Sequence, residues 1–369
     1  MSKADRTPES IEALRKRLDS IDATLVTLAA ERQRIVSEIG RSKQSEGRQL
    51  RDFRREREVL DHVRARALSE GLDPELAEDL LKRLIEASLT RQEQERGRLS
   101  GRGSGRRALV IGAAGRLGRW LSAFLDNQGF DLLLADPSYA LDGENRFRDW
   151  RDAPKHVDLV VLATPIAVTA ELLEALAAAG HPGLVIDVAS IKSPLIGPLR
   201  RATAAGLSVC SVHPMFGPST QLLSGRHVLF MDVGCPAAVD QAEALFSETM
   251  AELKRIDIEQ HDRLIAWVLG LSHALNIAFF SALAESGVPA EELASLSSTT
   301  FDRQLAIARD VASESPELYF EIQRLNEHGA VSREALSSAL KTLTERLAQD
   351  DEAGFRRLML QGRDYLEKL

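Results

Sequence analysis

Residues Val110–Gly118 read Val-Ile-Gly-Ala-Ala-Gly-Arg-Leu-Gly, and Asp131–Asp136 read Asp-Leu-Leu-Leu-Ala-Asp. An apolar run, Ala108 to Ile111, leads into closely spaced glycines. A helical pattern follows from Arg119 to Asn127, and a second apolar run ends in an acid. This order predicts strand, tight turn, helix and strand, with a carboxylate 18 residues past the last glycine. It is the layout of a dinucleotide site. Small residues let backbone approach a pyrophosphate, and the helix N-terminus offers N–H donors and a positive dipole end. Gly112, Gly115, Arg116, Leu117 and Gly118 are the expected phosphate contacts. Asp136 can bond two ribose hydroxyls and would repel a 2′-phosphate, so NAD is expected rather than NADP. The pattern departs from G-x-G-x-x-G at its first glycine, which is Ala113 here. A purely structural turn is the alternative.

The chain has 369 residues, enough for two or three domains with sizeable cores. Hydrophobic residues make up 44% and charged ones 28%, a globular balance. A net charge of −8 argues against a nucleic-acid partner. Two cysteines, Cys210 and Cys235, give no disulfide framework and no metal-ligand spacing, so no metal is expected and a reducing cytoplasm fits. The first ten residues lack an apolar core, and no uninterrupted run of about 18 apolar residues occurs. Neither a leader nor a membrane span is expected.

Three regions separate by periodicity. In 1–96, Ile11, Leu14, Leu18, Ile21, Leu25, Leu28, Ile35 and Ile39 form one long helical stripe, with Gly40 in or near its end. A second helix should run from Asp52 to Gly71, and a third should start at Asp73-Pro74, an N-cap followed by proline at N1. Residues 97–107, rich in glycine and arginine, read as a flexible tether. Residues 108–253 alternate apolar runs with helical segments, which predicts an α/β domain with a mainly parallel sheet. Residues 254–369 read as helical again. Long apolar segments such as Leu264–Leu283 suggest helices that are buried or packed on a second subunit.

The polar residues of the first region form a set. Arg15, Arg32 and Lys43 lie along the first helix, Asp52, Arg55 and Glu56 share a face of the second, and Ser88 and Gln92 share a face of the third. Solvated surface charge on a dimerisation hairpin is the bland reading of such residues. Together with Leu14-Arg15, Ala30-Glu31-Arg32, Gly40-x-x-Lys43, Arg51-Asp52 and Arg55-Glu56-Arg57, however, this segment resembles the all-helical chorismate mutases over about residues 10–95. The resemblance implies that Arg15 and Arg32 hold carboxylates. It implies that Lys43 and Gln92 donate towards an ether oxygen, that Asp52 and Glu56 accept from the ring hydroxyl, and that Arg55 and Ser88 complete the substrate contacts. The reaction is a pericyclic rearrangement of chorismate to prephenate, so the protein need only hold a compact conformer and stabilise developing charge. Arg15 and Arg32 are 17 residues apart, or about 25 Å along one helix. A ligand of this size cannot bridge them, so one arginine should come from a second copy of the chain. The expectation is an intertwined homodimer with further C-terminal helical contacts.

In the α/β region, Val212-His213-Pro214-Met215-Phe216-Gly217-Pro218 follows a strand, and Asp187-Val-Ala-Ser190-Ile-Lys192 ends another. Carboxyl ends of strands are where open α/β sheets place chemistry. With the glycine pattern, these residues resemble the prephenate dehydrogenases from Ala108 to near the C-terminus. The resemblance implies oxidative decarboxylation of prephenate with NAD, with His213 taking a proton from the 4-hydroxyl. It implies that Ser190 orients His213 or the hydroxyl, that Lys192 touches substrate or cofactor, and that Thr164-Pro165 lines the nicotinamide pocket. His261 and His273 lie twelve residues apart. The family places a substrate histidine at the second, though a hydrogen-bonded core histidine explains it equally well. Register puts Asp310 where the family needs an arginine for a carboxylate, so adjacent Arg309, or else Arg303, should serve. The expected whole is a mutase domain, a Rossmann-type nucleotide-binding domain and an all-α dimerisation domain, as in the fused enzymes of tyrosine biosynthesis. The alternatives are a dehydrogenase with a non-catalytic helical module, or the same chemistry on 4-amino-4-deoxy analogues or arogenate.

Overall fold

The apolar stripe at the start of the chain becomes one helix, α1, Ile11–Ser45. The computed structural model describes residues 10–46, 51–139 and 144–368. Next come α2, Phe53–Glu70, and α3, Pro74–Ser100. Their ends are set by local chemistry. Asp52 Oδ1 accepts from Arg55 N at 3.0 Å, Gly71 closes α2 at φ 71°, and Asp73 caps α3 by accepting from Glu75 N. α3 packs on both α1 and α2. Yet Ile11, Leu18, Leu25, Leu28 and Ile35 of α1 remain exposed, so the stripe has no cover among the described residues.

The tether expected over 97–107 is corrected by the structure. Residues 97–100 are the last turn of α3, and Gly101 and Gly103 are pressed onto backbone. A Cβ on Gly101 would lie 2.3 Å from Gln128 O, and one on Gly103 would lie 2.3 Å from Phe130 N. Gly101 and Gly103 serve close approach, while Gly105 takes φ 75°. Two contacts reinforce this seating. The buried Glu93 carboxylate accepts from Leu223 N at 2.9 Å and Met250 N at 2.5 Å, and Arg96 pairs with Glu248 at 2.7 Å.

The central domain runs β1 Arg107–Ile111, α4 Arg116–Asn127, β2 Asp131–Ala135, β3 Arg146–Phe147, β4 Leu159–Leu162, α5 Ile166–Ala178, β5 Leu184–Asp187, α6 Ile196–Ala204, β6 Val209–Pro214, β7 His227–Met231, α7 Pro236–Phe246 and β8 Glu252–Arg255. The sheet order is β3-β2-β1-β4-β5-β6-β7-β8. All pairings are parallel except β6–β7. Strands β4, β5 and β6 are buried throughout, as both faces of a parallel sheet are covered by helices. Chain order reverses across β1 and β4, the switch point where such sheets open a crevice. Register does the rest. Ile111 pairs with Leu162, Leu162 with Asp187, and Asp187 with Ser211. Gly112, Thr164, Ser190 and His213 therefore emerge along one edge.

The last region is α8 Ile258–Ile265, a π-helical turn Ala266–Leu271, α9 Ser272–Glu285, α10 Ala290–Ser295, α11 Thr299–Ala312, α12 Pro316–Leu325, α13 Gly329–Ala348 and α14 Glu352–Leu366. From Ile258 to Glu285 the helix is continuous, with mean hydropathy 1.7 over an 18-residue window, long and apolar enough to cross a membrane by length and composition. Ser272, His273 and Asn276 punctuate it, so no uninterrupted apolar run marks it in the sequence. Asn276 accepts from Gln304 at 2.9 Å, and Trp267, Val268 and Leu275 stay exposed.

Two candidate active sites

The first site lies among α1, α2 and α3. Arg32 Nη1 donates to Ser88 Oγ at 3.0 Å and Leu84 O at 3.1 Å, and Gln92 Nε2 donates to Val36 O at 2.7 Å. Burial lowers the Arg32 guanidinium from its ordinary value. Gly40 explains the close packing, since a Cβ there would meet the Gln92 side chain at 3.0 Å. Lys43 lies nearly one turn on, half-buried on the same side of α1. The Asp52 carboxyl is held below its ordinary value, first by the Arg55 backbone N–H, with the Lys43 charge also lowering it. Glu56 is clamped by Arg51, with Nε to Oε1 and Nη2 to Oε2 both at 3.0 Å. The structure thus brings Arg32 to Ser88, Gln92 against α1 beside Gly40, and the Lys43 charge near Asp52, with Glu56 one turn on from Asp52. Arg55 is exposed and pairs with Glu58 at 3.2 Å, and Arg15 is exposed far along α1.

The second site is a cavity of about 570 Å³ at the sheet edge, closed by α12 and the π-turn. Gly115, Arg116, Leu117 and Gly118 line one end, and Thr164, Pro165, Ser190, His213 and His273 line it further in. The glycine loop explains its own departure from the usual pattern. Gly112 takes φ 85°, and a Cβ there would stand 2.2 Å from Ala163 O, while position 113 needs no positive φ and buries an alanine instead. A Cβ on Gly118 would stand 2.1 Å from Gly112 O. Gly115 leaves the start of α4 without a side-chain cap, so its N–H groups are open to an anion. Asp136, at the end of β2, accepts from Ala114 N at 3.1 Å. Such a cradle fits a dinucleotide.

His213 is buried at the end of β6. Its Nδ1 lies 2.9 Å from His261 Nε2, and His261 Nδ1 lies 2.6 Å from Asp262 Oδ1. Burial would raise the Asp262 carboxyl, but bonds from His261, Ser193 and Lys192 outweigh it and hold Asp262 ionised. Asp262 can only accept, so His261 donates from Nδ1 and accepts at Nε2, and His213 donates from Nδ1. The Nε2 of His213 is then a free acceptor. Burial first, then the His261 and Lys192 charges, lowers His213 well below 6.5, so the ring is neutral.

The expectation that Ser190 orients His213 or the hydroxyl is corrected for His213 alone: His261 orients that ring, and Ser190 lines the cavity. Lys192 is corrected too. It is fully buried away from the cavity, with Nζ donating to Asp187 Oδ1 at 2.6 Å and to Val212 O at 3.0 Å. A buried ammonium needs a counter-charge, and the pair braces the strand that carries His213. Arg309 is the third correction. It is exposed on α11, as are Arg303 and Asp310, and α11 turns Ala308 inward instead. Among the described residues, the arginine at the cavity is Arg116, which pairs with Glu314 at 2.8 Å. His273 joins the site. Its Nδ1 is buried without a partner, its ring lies 4.3 Å from that of Tyr319, and burial lowers its pKa to about 4. Asp262 and Tyr319 were not anticipated. No local motif marks them, and only packing brings them in.

Residues 14–93 match the family model for chorismate mutase type II. Residues 141–254 match that for the prephenate dehydrogenase nucleotide-binding domain, and 257–361 that for the prephenate dehydrogenase dimerization domain. A 4-amino-4-deoxyprephenate dehydrogenase of Streptomyces pristinaespiralis is 32% identical over 275 residues, covering 70% of this chain and 91% of the relative. The chain belongs to the prephenate dehydrogenase family. It carries a chorismate mutase domain ahead of the dehydrogenase domains. The chain is also similar to the T-protein of Enterobacter agglomerans, 29% identical over 316 residues, covering 85% of this chain and 81% of the relative. The fold matches a prephenate dehydrogenase from A. aeolicus, solved with hydroxyphenyl propionate and NAD+, at TM-score 0.59 and 19% identity over 72% of this chain and 98% of that one.

Proposed function

We propose that this chain rearranges chorismate to prephenate and then oxidatively decarboxylates prephenate to 4-hydroxyphenylpyruvate, two steps of tyrosine biosynthesis. The observation that carries the second step is the Asp262–His261–His213 chain, which leaves one neutral ring nitrogen facing a cavity next to a dinucleotide cradle.

In the dehydrogenase, the loop Gly112–Gly118 and the start of α4 hold the pyrophosphate of NAD, and Asp136 takes the ribose hydroxyls. When bound, NAD supplies the acceptor for the hydride that leaves C4. His213 Nε2 accepts the 4-hydroxyl proton, and the imidazolium is steadied through His261 by Asp262. Loss of the ring carboxylate as CO2 leaves an aromatic phenolate, to which His213 returns the proton. Ser190 bonds the hydroxyl, His273 meets the substrate from α9, and Thr164-Pro165 borders the ring that reacts. In the mutase, Arg32 holds a carboxylate, and Lys43 and Gln92 donate to the ether oxygen as charge develops there. Asp52 and Glu56 accept from the ring hydroxyl, and Ser88 accepts from Arg32 and holds it in place.

The chain works as a homodimer. Arg15 and Arg32 sit on one unbroken helix, and the exposed stripe of α1 supports a partner whose Arg15 completes the site. The exposed apolar face of the Ile258–Glu285 helix supports a second contact between copies. Two unpaired cysteines support a cytoplasmic setting.

Supplied with chorismate and NAD, the purified protein should consume chorismate and form NADH and 4-hydroxyphenylpyruvate. Untouched chorismate with oxidation of added prephenate would reduce the helices to a structural module. The name of the Streptomyces relative favours a second reading, an amine in place of the C4 hydroxyl. Faster turnover of that analogue than of prephenate would select it, and arogenate is the further comparison. Asp136→Ser should shift the ratio of kcat/KM for NAD to that for NADP about ten- to a hundredfold towards NADP, the worth of a bond to a charged acceptor. Equal use of both cofactors by the unaltered protein would contradict the role of Asp136.

A further inference from the structure

The loop that follows the His213 motif reaches the mutase. Its first residues, Met215 to Pro218, line the dehydrogenase cavity, while its far end, Leu223-Ser224, meets the helical domain. Arg51 Nη1 donates to Ser224 Oγ at 2.7 Å while the same guanidinium grips both oxygens of Glu56. Arg51 also stacks over Phe53 at 4.4 Å. One residue along the loop, Leu223 N donates to Glu93, the neighbour of Gln92 on α3. Burial raises the Glu93 carboxyl, with the Leu223 and Met250 N–H groups opposing it.

The chemistry of the clamp explains why a partner is needed. A guanidinium presents its donors in one plane, and one edge, Nε with Nη2, suffices to bind Glu56. An arginine on a half-exposed turn keeps many rotamers, so a carboxylate held only by it would swing with it. The Ser224 hydroxyl fixes the third donor and with it the plane of the fork. Glu56 is then presented in one orientation. Small misplacements of a group that meets substrate cost rate out of proportion to their size.

We propose that Ser224, a residue of the dehydrogenase domain, is a positioning residue for the mutase, acting through Arg51 on Glu56. The inference rests on the mutase reading above. It means that the mutase site is not built by α1–α3 alone.

The test uses the whole 369-residue chain and two separate assays, chorismate loss and oxidation of added prephenate. Ser224→Ala should lower mutase kcat/KM about three- to tenfold, the worth of one net hydrogen bond. Prephenate oxidation should stay within about twofold, because Ser224 is not in that cavity. Ser224→Thr, which keeps the hydroxyl, should restore the mutase. In an Arg51→Ala background Ser224→Ala should cost nothing further, since the pair acts as a unit. An unchanged mutase rate in Ser224→Ala, or losses that multiply independently of Arg51, would overturn the proposal. Loss of prephenate oxidation along with the mutase would overturn it too, by pointing to general unfolding. An unaltered protein inert towards chorismate would overturn both this inference and the mutase reading.

Discussion

His213→Asn is expected to reduce prephenate oxidation by about 10²- to 10⁴-fold, the usual worth of a positioned general base. The amide is of similar size and can still bond, so the cavity and the glycine loop should stay intact. Cofactor binding and chorismate loss should therefore be retained, which fluorescence titration and the mutase assay can check. The pH profile adds a sharper test. His213 must be neutral to accept a proton, and burial, His261 and Lys192 lower it well below 6.5. A lowered value means that the neutral form persists as pH falls, so the acidic limb of kcat/KM should lie below pH 6.5. Activity should be constant above that limb and decline through it. A limb at or above 6.5 would assign it to another group, and an unchanged rate in the variant would remove His213 from the mechanism.

Lys43→Ala is expected to lower chorismate turnover about 10²- to 10³-fold, the cost of removing one donor aimed at developing charge. Uniform binding would appear in KM. A donor that acts chiefly on the transition state should appear in kcat. Prephenate oxidation should persist, because the dehydrogenase cavity lies beyond α3. Mixing this variant with Arg15→Ala extends the test. If each site takes Arg15 from the partner, neither homodimer is active, but each heterodimer rebuilds one site. Random assembly of equal amounts should then recover about a quarter of the unaltered mutase rate. No recovery in verified heterodimers would argue against a site shared across subunits.

The two sites differ in how far the chain alone reveals them. Helix caps at Asp52, Asp73 and Gly71 fall where local rules put them, because capping involves residues two or three apart. The glycine loop was legible as well. Its departure at Ala113 dissolves once Gly112 is seen to carry the positive φ. The Arg309 expectation failed for a physical reason. Adjacent helical residues point about 100° apart, so the register of α11 against the cavity decides between them, and register is set by packing. Lys192 failed similarly, since a lysine after a strand reads as a ligand until its burial beside Asp187 is known.

The sequence by itself determined the local devices: the strand–glycine–helix turn, the acid at Asp136, the helix ends, the histidine at a strand's carboxyl end and the polar set on three helices. Each depends on residues close in the chain, where backbone geometry leaves few choices. Only the tertiary structure decided what meets at long range. The His213–His261 bond spans 48 residues, and Arg51–Ser224 spans 173. A glycine- and arginine-rich segment that reads as a loose tether turns out to be docked, because Gly101 and Gly103 lie where only a missing Cβ lets two backbones touch. Such contacts are fixed by sheet register and helix packing. No run of neighbouring residues encodes them.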